Sequence, residues 1–286
     1  MNQKASPAAL ASVRMTDAPP QDAVDIGAPA GEALPACVLL VEDDLVSQRV
    51  ARRHLEQMGY VVVVADDGAA AVETCMQQQF ALVLMDLQMA HMDGLQATRE
   101  IRRLEGRSRR VPILGLTANA GADELARCTT AGMNGLLVKP LQRARLAQAL
   151  EQLAPADQAL APPDPEPHEH ADPASALPAD LANLRAKFRD DSAFVRRLCQ
   201  TFLTSTRQLM NELERAAYAG DRAQLRALAH KIKGASNNVY AHRAAALAAQ
   251  IEWGSTGLTV SALNPAIEAL RRAIDEIATQ VSSELP

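Results

Sequence analysis

Aromatic side chains make up only 3% of the 286 residues. That scarcity argues against an all-β sandwich and against the stacking platforms that hold single-stranded nucleic acid. Basic charge is not in excess: 29 Lys and Arg against 34 Asp and Glu leave a formal net charge of −5, a poor general ligand for a phosphate backbone. The Arg cluster between Arg99 and Arg110 accordingly reads as a solvated helix face and loop, and no nucleic-acid partner is expected. Cysteine is sparse. Cys37, Cys75, Cys128 and Cys199 form no Cys-x-x-Cys pair, so they read as reduced residues of a cytoplasmic protein. No stretch approaches the ~18 uninterrupted apolar residues of a membrane span, and no apolar segment follows the early Lys4 as a targeting signal would require.

Proline is abundant in two places and scarce elsewhere. Five of the 16 prolines lie in residues 1–35 and seven in 154–178. Proline fixes φ and removes a backbone donor, so both tracts read as non-core segments. They divide the chain into a disordered tail (1–35), a first domain (36–153), a Pro/Ala-rich linker (154–178) and a second domain (179–286).

The first domain alternates two periodicities. Short apolar runs at Val38–Val41, Tyr60–Val64, Ala81–Met85, Ile113–Thr117 and Leu136–Val138 read as strands. Between and after them, Leu45–Met58, Ala69–Gln78, Gly94–Leu104, Asp123–Thr130 and Leu141–Leu153 read as helices. Strict β/α alternation predicts a doubly wound five-stranded parallel sheet, an α/β fold whose ligands sit at the carboxyl ends of the strands. The second domain has no convincing strand. Apolar residues recur at three and four, as in Phe194, Leu198, Phe202, Leu209 and Leu213, with breaks at Gly220-Asp221, Asn237-Asn238 and Gly254–Gly257. Four to five helices in a bundle are expected.

The strand ends carry the chemistry. Glu42 and Asp43 follow the first strand, Asp86 ends the third, Thr117 ends the fourth and Lys139 follows the fifth. Three clustered carboxylates with a single Lys repel one another unless a cation joins them, and hard oxygen donors suit Mg²⁺. A carboxylate beside such an ion, a hydroxyl and an ammonium is placed to attack phosphorus, which implies an aspartyl phosphate. A haloacid-dehalogenase-type phosphatase also uses a nucleophilic Asp, but it needs a second Asp two residues on as proton donor. Here that position is Gln88.

The stretches VLLVEDD (38–44), LVLMDLQMAHMDG (82–94), ILGLTANA (113–120) and GLLVKP (135–140) resemble the response-regulator receiver domain. The resemblance implies a flavodoxin-like fold with Asp86 as phosphoacceptor. It implies Mg²⁺ held by Asp43 directly, by Glu42 through water, by Asp86 and by the backbone carbonyl of Gln88. Thr117 and Lys139 would contact the phosphoryl group. Ala90 stands where the family usually has Pro, and Leu136 where it commonly has the switch aromatic, so no aromatic switch coupled to Thr117 is expected.

Of six histidines, His54, His91, His168, His170 and His242 have bland placements on a helix, in a loop, in the linker or at a helix start. His230 differs. On a helical wheel, Leu225, Leu228, Ala229, Ile232 and Ala235 form the buried face, and His230 falls on the opposite side with Lys233, Gly234 and Asn237. That arrangement predicts a solvent-facing imidazole with a cation nearby and a glycine clearing space one turn away. The stretch AHKIKGASNN (229–238) is similar to the histidine-phosphotransfer (Hpt) motif. By that resemblance His230 is a phosphoacceptor supported by Lys233 and Gly234, with Tyr240 at a position where the family often has Gly.

An Asp carrier and a His carrier together imply a phosphorelay component, with no kinase ATP-binding domain in the assigned sequence. Its expected partners are a histidine kinase and partner receiver or Hpt domains. The 25-residue linker reaches ~78 Å as polyproline and ~25–30 Å if flexible, so intramolecular receiver–Hpt contact is allowed. The other class of function compatible with the sequence is a regulator or phosphate sink that binds and titrates a histidine kinase.

Overall fold

The computed structural model describes residues 36–89, 91–118, 121–153, 178–189 and 191–285. The expected tail, nearly all of the expected linker, its His168 and His170, and Ala90 lie outside the described residues.

The first domain runs β1 (Cys37–Val41), α1 (Leu45–Gln57), β2 (Val61–Ala65), α2 (Gly68–Gln77), β3 (Leu82–Asp86), α3 (Gly94–Arg103), β4 (Ile113–Thr117), α4 (Ala122–Ala131), β5 (Gly135–Val138) and α5 (Arg143–Gln152). All strand pairs are parallel, in the order β2-β1-β3-β4-β5. Every residue of β3 and β4 is buried, as expected for central strands covered on both faces. Leu39, Val83, Met85 and Ile113 pack with Ala71, Cys75, Ile101 and Cys128 of α2, α3 and α4. On the other face Val38, Leu40, Leu84 and Leu116 pack with Ala51 and Leu55 of α1 and with Leu146 and Leu150 of α5. The chain leaves β1 toward β2 on one side and reaches β3 on the other. This reversal opens a crevice at the carboxyl ends of β1 and β3.

The second domain contains α6 (Leu181–Lys187), α7 (Ser192–Ala219), α8 (Arg222–Asn238), α9 (His242–Gly254) and α10 (Val260–Glu284). Each expected break coincides with a helix end. The side chains of Asp44, Asp67, Asp93, Asp180, Asp191 and Asp221 cap α1, α2, α3, α6, α7 and α8, each accepting a bond from the N–H three residues on. Each such cap stabilises its helix by about 1 kcal/mol.

The two domains touch along α1. Val46 and Val50 are buried in the apolar core of the helical domain, while Ala51 and Leu55 face the sheet. Thus α1 carries two adjacent apolar stripes. The stripe at Val46, Val50 and His54 continues at i, i+4 and i+8, and His54 stacks on Phe188 at 5.7 Å between ring centroids. Arg53 Nη2 lies 2.6 Å from Asp191 Oδ2. Asn238 on α8 donates to Ser47 Oγ at 3.0 Å.

Candidate functional site

The crevice gathers the strand-end residues as their positions require. Ligand oxygens of Glu42, Asp43 and Asp86 all lie within 4.8 Å of one another. Glu42 and Asp86 are almost fully buried, at 1% and 5% exposure. Lys139, which follows β5, bridges them: its Nζ lies 2.6 Å from Glu42 Oε2 and 2.7 Å from Asp86 Oδ2. Burial disfavours the ammonium, yet the charges of Glu42 and Asp86 outweigh that penalty and hold the Lys139 pKa above its ordinary value. Burial pushes Glu42 well above the usual carboxylate range, with Lys139 opposing the shift and the Asp86 charge adding to it. The other oxygen of Asp86, Oδ1, accepts the backbone N–H of Gln88 at 3.1 Å.

Two neighbours shape this corner. The loop after β3 returns so closely that a Cβ on Gly94 would strike the Asp86 carbonyl oxygen, so this helix start requires glycine. Thr117 is buried, and its Oγ1 donates to Glu124 Oε2 of α4 at 2.6 Å. The structure thus adds Glu124, which sequence reading missed. Leu136, which stands where the receiver resemblance would place an aromatic, is buried in the core against the β4 glycine Gly115.

The second site lies on α8. Here the helical wheel needs correction: His230 does not simply face solvent. Its side chain is 21% exposed, and its Nδ1 lies 2.7 Å from Glu252 Oε1 of α9. Lys233 Nζ binds the other oxygen of the same carboxylate, also at 2.7 Å. Burial raises the Glu252 pKa, but the hydrogen bonds from His230 and Lys233 and their charges prevail and bring it down to about 2. Near neutral pH Glu252 is therefore a carboxylate that can only accept. Nδ1 of His230 therefore carries the proton of this bond, and the tautomer so fixed places the lone pair on Nε2. A Cβ at Gly234 would meet nothing within 4 Å, consistent with the open space expected one turn from His230.

These two sites are linked through the residue next to His230. Lys231 Nζ lies 2.9 Å from Asp43 Oδ2. Asn238, seven residues further along α8, lines a cavity of ≈ 10 Å³ together with Glu42, Ser47, Val50 and Lys139. Such a volume holds about one water molecule. Among the described residues no helix is long and apolar enough to cross a membrane.

Comparison with known proteins agrees with both halves. Residues 38–151 match the response regulator receiver domain family and residues 197–280 the Hpt domain family. The virulence sensor protein BvgS of Bordetella bronchiseptica is 30% identical over 210 residues, covering 71% of this chain and 17% of its own length. The sensor histidine kinase AruS of Pseudomonas aeruginosa is 39% identical over 134 residues, 46% of this chain and 13% of its own. The chain spans about a fifth or less of the length of these curated relatives. Among solved structures, the magnesium-bound receiver domain of a sensor histidine kinase from Pseudomonas aeruginosa PAO1 is 42% identical. It covers 42% of this chain and 98% of its own, with a TM-score of 0.40.

Proposed function

Residues 38–151 of this chain belong to the receiver-domain family and residues 197–280 to the Hpt family, and from that pairing we propose that the chain is a phosphorelay module carrying phosphate on Asp86 and on His230. The observation that supports this most is the presence in one chain of two differently prepared nucleophiles. One is a buried carboxylate beside Lys139; the other is an imidazole whose Nδ1 is tied to Glu252.

Glu42, Asp43 and Asp86 supply the closely spaced hard oxygens that Mg²⁺ prefers, and the backbone carbonyl of Gln88 is the proposed further donor. When bound, the ion would offset carboxylate repulsion and hold phosphoryl oxygens. The protein's own groups do the rest. Lys139 fixes the orientation of Asp86 and presents its ammonium to the phosphoryl group. Thr117 would exchange Glu124 for a phosphoryl oxygen. In transfer from His230, a carboxylate oxygen of Asp86 forms the new O–P bond while the P–Nε2 bond breaks, and the electron pair returns to the imidazole. In the reverse direction Nε2 attacks phosphorus and the Asp86 carboxylate leaves. Glu252 stays ionised throughout and holds the ring in the tautomer that keeps Nε2 free, while Lys233 neutralises its charge.

One relative is by name a virulence sensor protein and another a sensor histidine kinase, and the proposed partners are accordingly a histidine kinase and further receiver or Hpt domains. The domain limits 36–153 and 179–286, joined by a 154–178 tether, belong to the same proposal, and so does exchange between Asp86 and His230 within one molecule. Incubation with acetyl phosphate and Mg²⁺, followed by exposure of the labelled protein to acid or base, tests it. A base-labile label lost in Asp86→Asn and an acid-labile label lost in His230→Gln are expected. Labelling of neither residue would refute the relay.

A further inference from the structure

We propose that Lys231 of the Hpt helix α8 and a divalent cation compete for Asp43, so that docking of the two domains and cation binding oppose each other. This rests on the reading of Glu42, Asp43 and Asp86 as the cation site. The Nζ of Lys231 sits 2.9 Å from Asp43 Oδ2, with the Asp43 side chain 12% exposed. A Mg²⁺ ion bound to the same carboxylate would stand at ~2.1 Å from its oxygen, placing it within roughly 5–7 Å of the ammonium. Two cations that close repel in a site largely screened from water.

Charge balance points the same way. Glu42, Asp43 and Asp86 carry formally three negative charges, and Lys139 cancels one. The two that remain match a divalent ion; Lys231 cancels one of them and lowers the pull on the ion. The arrangement also explains why α8 presents Lys231 and not His230 to the crevice. Neighbours on a helix point about 100° apart, and the His230 ring is bonded to Glu252 on α9. The docked form is thus a resting arrangement in which a lysine partly stands in for the cation. Entry of the ion frees Lys231 and loosens that end of the interface. Val46, Val50 and the Arg53–Asp191 pair lie elsewhere on α1 and still hold the domains together.

Titration of the full chain with MgCl₂ by isothermal calorimetry tests the competition. Lys231→Gln is expected to bind Mg²⁺ about 3–10-fold more tightly than wild type, and Lys231→Arg to stay near wild type. Arg53→Glu, which weakens docking away from the acidic cluster, should also tighten binding, with little further gain in the double variant. Because coupling is reciprocal, saturating Mg²⁺ should speed hydrogen exchange of the α8 amides near Lys231 in wild type and not in Lys231→Gln. Equal Mg²⁺ affinity in wild type and Lys231→Gln, with binding abolished by Asp43→Asn, overturns the competition and leaves the cation site standing. Mg²⁺ affinity unaffected by Asp43→Asn, or no binding in any variant, overturns both.

Discussion

Lowering the pH from 7 to 5 protonates, in the unfolded chain, a histidine that the fold keeps neutral. His54 on α1 is 4% exposed, and neither ring nitrogen has a hydrogen-bond partner. It stacks on Phe188 of the second domain. Burial, then the charges of Lys187 and Arg143, lower its pKa from 6.5 to about 4. The Arg53–Asp191 pair lies beside it across the same interface. Because the folded-state pKa is the lower one, the unfolded chain binds more protons between pH 6.5 and 4. Stability is therefore full above about 6.5, falls as the pH drops through that window, and changes no further from this source below about 4. The whole shift corresponds to about 3 kcal/mol, of which about 2 kcal/mol is lost by pH 5. Urea unfolding of wild type and His54→Leu at pH 7, 6 and 5 isolates this effect, since the carboxylates titrate alike in both. The wild type should lose about 2 kcal/mol more than the variant between pH 7 and 5. A difference that stays flat, or an NMR titration midpoint for His54 near 6.5, would refute the reasoning.

Other substitutions probe the two carriers. Glu252→Gln should leave the helical content unchanged by circular dichroism and slow phosphorylation of His230 about tenfold, or ~1.4 kcal/mol, with a mixed ring tautomer visible by ¹⁵N NMR. Lys139→Ala strands Glu42 and Asp86 together in a buried site. It should cost about 3 kcal/mol of unfolding free energy without Mg²⁺, and part of the loss should return when MgCl₂ is added. Gly94→Ala drives a Cβ into the Asp86 carbonyl and should cost about 2 kcal/mol or more, read as a lower thermal midpoint together with slower labelling of Asp86.

The first site was legible because a parallel sheet turns sequence order into spatial order. Once the apolar runs at 38–41, 81–85, 113–117 and 136–138 are read as parallel strands, the residues that end or follow them must share one edge. Glu42, Asp86, Thr117 and Lys139 meet there. Residues on neighbouring helices carry no such signal. Glu252 is an acid on an Ala-rich helix, 22 residues from His230, and its spacing looks like that of any solvated carboxylate. Glu124 lies in the first turn of α4, where acids are common for the helix dipole alone. The wheel placed His230 correctly relative to its own helix; what it could not supply was the neighbouring α9, whose Glu252 binds the mostly covered ring. The docking face of α1 was hidden for a similar reason. Val46 and Val50 fit an ordinary stripe packed on the sheet, and only the structure assigns them to the other domain. His54, bland in the sequence, is buried in that same face.

The central claim is that this chain holds two phosphate carriers that exchange. ³¹P NMR of the full chain with acetyl phosphate and Mg²⁺ tests it most directly, since acyl phosphate and phosphoramidate resonances are separate. An acyl phosphate signal should appear first in wild type, followed by a phosphoramidate signal; His230→Gln should show only the first, and Asp86→Asn neither. A phosphoramidate signal that forms at the wild-type rate in Asp86→Asn would contradict the account.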